Sequence, residues 1–149
     1  MSRVVFLGGV MLVVTAVVAA QDRPYPIFTV EQLDATMRTV GPNVRGIGSA
    51  IAEQDLSTAK ERAIRAREQL APTVTFWRDR GRRDAIDWLR ETLDQLDALD
   101  TALSREEVDL EQVTAIVREV GTGCRACHEV YRDEDPDTGA YRLRRSALP

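Results

Sequence analysis

Histidine occurs once in this 149-residue chain and cysteine only twice. A tetrahedral zinc site needs four ligands, drawn mainly from cysteine and histidine. Three such residues packed into one short stretch cannot surround a metal unaided, which excludes structural zinc. A single histidine leaves no second imidazole for acid–base work, and no nucleophile–base pair is set by spacing, so the chain reads as no enzyme. Basic charge is also short. Twenty Lys and Arg against 24 Asp and Glu give a formal charge of −4, which argues against a nucleic-acid partner and for a soluble, mildly acidic protein. Strand-type alternation is missing, and no internal repeat or low-complexity run is present.

The scarce residues that do occur lie together in Cys124-Arg125-Ala126-Cys127-His128, a C-x-x-C-H run near the end of a long helical pattern. Covalent attachment of haem requires this set: each thiol adds to one vinyl group, and the adjacent imidazole becomes an iron ligand. A thioredoxin-like dithiol also uses C-x-x-C, but at a strand–helix junction inside a βαβ pattern, and no strand pattern precedes this one. The motif predicts one covalent haem c, joined through Cys124 and Cys127 and bound at its iron by His128.

Residues 1–20 begin with basic Arg3, continue as an apolar run from Val4 to Val18 and end in the small-x-small sequence Val18-Ala19-Ala20. This is the layout of a signal peptide, with Gln21 as the mature N-terminus. An uncleaved anchor is the alternative, since the run approaches the roughly 18 to 20 residues a membrane span needs. Gly8, Gly9 and the cleavage-like end favour removal, and hence no stable insertion in the membrane. Export agrees with the motif, because C-x-x-C-H thiols are joined to haem after secretion; in bacteria that is the periplasm. Residues 21–149 suffice for one domain and not for two. Loss of Arg3 makes the net charge one unit more negative.

Within that domain the apolar residues fall into four helical stripes. After a lead-in from Gln21 to Phe28, Thr29-Val30-Glu31-Gln32 forms a capping box. Leu33, Met37, Val40, Val44, Ile47 and Ile51 follow at steps of three and four, with a kink expected near Gly41 because Pro42 removes a backbone donor. Ala59, Ala63, Ala66, Leu70, Val74 and Trp77 form a second stripe between about Ser57 and Arg78. Its small residues allow close helix approach; Pro72 bends or breaks it, and a break there makes Phe76 and Trp77 part of a new segment. A turn around Gly81 leads to a third stripe of Ile86, Leu89, Leu93, Leu96, Leu99 and Leu103 that begins near Asp84. Its charged faces read as solvated surface.

The fourth stripe starts at a cap, either Asp109 with Gln112 or Ser104 with Glu107, and runs through Leu110, Val113, Val117, Val120, Cys124, Cys127 and Tyr131. Both cysteines lie on its apolar face, with Cys124 and His128 at i and i+4. Gly121 and Gly123 cost about 1 kcal/mol each in helix propensity, offset by close approach to a cofactor or else a sign of fraying. From about residue 133 the pattern gives way to an acidic, turn-rich loop and an irregular tail. The tail either folds back over the surface or stays mobile, and its basic run Arg142-Leu143-Arg144-Arg145 is a candidate for partner docking. The fold expected is all-α: an antiparallel four-helix bundle with haem c in its core.

With its Phe76-Trp77 region, the helix from Asp84-Ala85-Ile86 and a C-terminal Cys-Arg-Ala-Cys-His-Glu-Val-Tyr-Arg, the chain resembles the class II c-type cytochromes, the cytochrome c′ family and its low-spin relatives. Ordinary small cytochromes c carry C-x-x-C-H near their start; here the order is reversed. The resemblance covers nearly all of residues 21–149 and implies haem linked through Cys124 and Cys127 with His128 as proximal ligand. The family's other axial position, on the first helix, matches Met37 by spacing. Ligation by Met37 implies a low-spin one-electron carrier serving redox partner proteins; Met37 as core packing or pocket lining implies a five-coordinate protein that binds NO or CO. Many relatives have Arg-Gln where this chain has Leu33-Asp34, so a haem propionate needs another partner. Arg132 resembles a family residue beside the haem and is the candidate, with a plain surface arginine as its alternative. Family members often pair through their early helices, so a homodimer stands among the expected partners, although the surface pattern does not establish it.

Overall fold

The computed structural model describes residues 27–148. The expected signal peptide 1–20, the cleavage point at Gln21 and most of the lead-in lie outside them. Described residues are mostly helical, in an all-α arrangement. The first helix, α1 (Val30–Ala52), opens as its sequence predicts: the Thr29 hydroxyl accepts from the Gln32 amide at 3.2 Å, and the Gln32 side chain accepts from the Thr29 amide at 3.1 Å. Two otherwise orphaned donors are thereby satisfied. The helix continues unbroken through Pro42, whose ring is exposed.

Gln54, with φ at 61°, turns the chain, and Asp55 caps α2 (Leu56–Leu70) by accepting from the Thr58 amide at 3.0 Å. Ala59, Ala63 and Ala66 are wholly buried, and α1 and α2 pack along their lengths. The small residues allow that approach, and on the other side the Arg62 side chain lies where a Cβ on Gly46 would be. Pro72 ends α2, as expected. A short 3-10 turn follows at Ala71–Thr73, and α3 (Val74–Asp79) holds Phe76 and Trp77, both buried. Gly81 makes the turn with φ at 64°, a conformation glycine adopts without steric cost.

The next helix, α4 (Arg83–Leu103), begins one residue before the expected Asp84. Of the two caps open for the last helix, Asp109 is the one used: its carboxylate accepts from the Glu111 and Gln112 amides at 3.0 and 3.1 Å, starting α5 (Leu110–Tyr131). Ser104 instead closes α4, donating to the Asp100 carbonyl at 2.6 Å. Leu110 departs from its expected stripe and is 42% exposed, because it stands at the first helical position, outside the packed length.

Helix contacts run in a ring, α1 on α2, α2 on α4, α4 on α5 and α5 on α1. Inside it lie Ile47, Leu96, Leu99, Val113 and Val120, each at most 1% exposed. Full burial of such a side chain contributes about 1.5 to 3 kcal/mol. No helix among the described residues is long and apolar enough to cross a membrane.

The tail corrects the sequence reading. Where an irregular segment is expected from about residue 133, β1 (Arg132–Glu134) and β2 (Tyr141–Leu143) form an antiparallel hairpin with Arg132 opposite Leu143 and Glu134 opposite Tyr141. The acidic loop supplies its turn, since Asp135 accepts from the Asp137 and Thr138 amides at 3.0 Å and Gly139 takes φ 68°. Those amides hold the Asp135 carboxyl below the usual aspartate range. A final 3-10 turn, Arg145–Ala147, buries Ala147 completely.

Candidate haem-attachment site

Cys124, Cys127 and His128 occupy the last two turns of α5, and the helix stays regular to its end, where the Arg132 amide donates to the His128 carbonyl. Both thiols are free, and all three side chains are half-buried. Spacing at i, i+3 and i+4 keeps them on one side of the helix, with Cβ atoms about 5 to 6 Å apart. Burial pushes both thiols up; Cys127, which also feels Cys124 and the Asp84 charge, reaches about 12. His128 is pushed down, by burial first and then by the Arg132 charge. At neutral pH the site therefore presents two protonated thiols and a neutral imidazole, the form that binds a metal. A redox dithiol needs the opposite, a lowered thiol and its thiolate.

The apolar stripe of α5 divides into two edges. Val113, Val120 and Tyr131 are fully buried, whereas Val117, Gly121, Cys124 and His128 are half-buried. Their spacing of four, three and four sets them on one line along the helix. A matching pair of edges runs along α1: Leu33, Val40 and Ile47 buried, Met37, Gly41 and Val44 half-buried. Since α1 packs on α5, each contributes an apolar strip with a glycine in its middle. A Cβ on Gly121 would meet nothing within 4 Å, and one on Gly41 only the end of Arg45 at 3.3 Å. Clearance on α5 beside two thiols and an imidazole, with a thioether on the neighbouring α1, matches the donor set of haem c.

Gly123 serves a different purpose from Gly121. A Cβ there would lie 2.3 Å from the Thr92 hydroxyl, so this glycine lets α5 close on α4. This corrects the expectation for Gly123: the close neighbour is Thr92 on α4 and not a cofactor. At the other end of that seam the Tyr131 hydroxyl donates to Asp84, 2.7 Å from each carboxylate oxygen. Tyr131 also packs against Trp77, with ring centroids 4.7 Å apart, and edge-on to Trp88 at 6.4 Å. Burial, the Asp84 hydrogen bond and its charge push the Tyr131 hydroxyl up to about 12. Sequence reading treated Asp84 only as a helix start. Its pairing was legible solely through Tyr131, one turn beyond Cys127 on the apolar stripe.

Of the remaining candidates, Met37 stands half-buried against the core on the helix beside α5. Arg132 is exposed; its guanidinium lies 4.0 Å from the centre of the Tyr141 ring, and its carbonyl accepts from Arg144 Nε at 3.0 Å. With His128, Arg125, Glu129 and Arg144 it borders an open cleft of about 370 Å³. Arg132 therefore sits beside His128 while its planar face is engaged by Tyr141. No protein-family model matches the chain, and no curated protein or solved structure matches it either.

Proposed function

We propose that the chain is a c-type cytochrome of the class II kind, an antiparallel four-helix bundle that carries one covalent haem c and passes single electrons between redox partner proteins in the periplasm. The observation that carries this reading is the half-buried set of Cys124, Cys127 and His128 on one side of α5, beside the helix that bears Met37. Bound haem c would supply a one-electron ferric–ferrous couple. Cys124 and Cys127 would hold the ring by thioether bonds, and His128, kept neutral by burial and by Arg132, would bind the iron. Met37 would give a second, soft sulfur donor, which favours the reduced state and raises the potential. The buried edges of α1, α4 and α5 would exclude water and keep these groups in place during electron transfer.

The test is the mass and visible spectrum of the protein exported alongside haem-ligation machinery, in both oxidation states, next to Met37→Leu. A mass increase of one haem with low-spin six-coordinate spectra that Met37→Leu turns high-spin is the expected result. High-spin five-coordinate iron in the unaltered protein, with tight carbon monoxide binding to the reduced form, would assign the chain to the gas-binding members. A colourless product would sink both.

A further inference from the structure

The seam between α4 and α5 has a readable register. Asp84 meets Tyr131 and Thr92 meets Gly123, so an advance of eight residues on one helix is a retreat of eight on the other. The two helices therefore run antiparallel, and the midpoint sets Trp88 opposite Cys127. Asp84 then lies one helical turn along from Cys127, a rise of about 5.4 Å. Tyr131, only 5% exposed, holds the carboxylate by donating its hydroxyl proton, with both oxygens at hydrogen-bond distance.

Arg82, two residues before Asp84, has its guanidinium engaged with the tail, where it donates to the Ser146 carbonyl. Arg132, on the other flank of His128, covers Tyr141.

We infer that Asp84, held in place by Tyr131, is a positioning residue that biases the one-electron couple of a group joined to Cys127 toward its oxidised form. The inference rests on the haem reading. On reduction one electron arrives from a redox partner protein and the iron loses one unit of positive charge; a fixed negative charge nearby favours the more positive, oxidised state. Asp84 is itself exposed, so water screens the effect to a few-fold.

The experiment is a redox titration of the haem-bearing protein and its variants at one ionic strength. Asp84→Asn keeps an oxygen acceptor for the Tyr131 hydroxyl and removes the charge. It is expected to shift the ferric-to-ferrous ratio about three- to tenfold toward ferrous, the upper end being about 59 mV for a one-electron couple. Asp84→Glu is expected to stay within about twofold of the unaltered protein. Tyr131→Phe, which loosens the seam but keeps the charge, is expected to lower thermal stability and to move the ratio less than Asp84→Asn does. Should Asp84→Asn not accumulate, Asp84→Ser takes its place in the same comparison, since serine suits the first turn of a helix. Equal ratios for the neutral variant and the unaltered protein, or equal shifts for Asp84→Glu and the neutral variant, would overturn the inference alone. An unaltered protein lacking covalent haem would overturn the functional reading beneath it.

Discussion

Replacing Gly123 by alanine pits helix propensity against packing, and the structure says which wins. In an open helical position alanine is better than glycine by about 1 kcal/mol, and Gly121, where a Cβ meets nothing within 4 Å, is such a position. At Gly123 the new methyl would lie 2.3 Å from the Thr92 hydroxyl, 3.5 Å from the Thr92 Cβ and 3.8 Å from the Trp88 carbonyl. Only the hydroxyl contact is intolerable. Thr92 cannot swing away freely, because it is 3% exposed and its hydroxyl donates to the Trp88 carbonyl at 2.8 Å. Relief requires either leaving that rotamer or parting α4 from α5, an overpacking cost of about 1 to 3 kcal/mol. Gly123→Ala is therefore expected to lose about 1 kcal/mol net, whereas the same change in a Thr92→Ala background gains about 1 kcal/mol. Urea denaturation of the four proteins of this cycle, followed by far-ultraviolet circular dichroism, measures both. If Gly123→Ala shifts stability equally in the two backgrounds, within the roughly 0.5 kcal/mol expected of independent sites, the seam is not closed at this glycine.

Alkaline titration followed by tyrosinate absorbance should find one tyrosine ionising near 12, and it should vanish in Tyr131→Phe. Because the folded value lies above the ordinary 10, the pair's contribution to stability is complete below about pH 10 and is lost as pH rises through about 12. Thr29→Ala removes the hydroxyl of the capping box and should cost about 1 kcal/mol in the same urea assay. Under the haem reading, Cys127→Ala and His128→Ala lower the yield of folded, exported protein, because an apolar cavity is left unfilled; normal accumulation of stable, haem-free His128→Ala protein would contradict it.

Much of this architecture was legible in the chain, and the parts that were not share a cause. Thr29, Asp109 and the break at Pro72 act through neighbours within four residues, so reading along the chain finds them or narrows them to a choice. The three-and-four spacing of α1, α2 and α4 likewise reports which residues turn inward. It does not report how far in. The α5 stripe was continuous as a pattern, yet it separates into a buried edge at Val113, Val120 and Tyr131 and a half-buried edge at Val117, Cys124 and His128, because that depends on how α1 and α4 flank the helix. Gly121 and Gly123 are alike in sequence and opposite in surroundings for the same reason. The hairpin at Arg132–Leu143 escaped because strands of three residues, largely charged, carry no alternation to detect.

Several long-range contacts that sequence could not show meet at one place, the turn between α3 and α4. Thr75 donates to the Ile27 carbonyl at 2.7 Å, and Arg80, stacked 3.6 Å from the centre of the Phe76 ring, donates to the Phe28 carbonyl at 3.2 Å. These bonds hold the start of the described chain. Arg82 reaches Ser146 beside the buried Ala147, and Asp84 takes the Tyr131 hydroxyl, which holds the tail and the end of α5. The tail in turn closes on α5, the Arg144 amide donating to the Tyr131 carbonyl at 2.8 Å. Helix ends ordinarily fray because their last four carbonyls lack partners. Here the last turn carries His128 and Tyr131, and under the haem reading fraying would be most costly in that turn. The Arg132 amide takes the His128 carbonyl and the Arg144 amide takes that of Tyr131, and a side-chain anchor comes from Asp84 on α4. A motif at the end of a helix can therefore be as rigid as one at its middle, provided that the chain beyond it returns, and this one does.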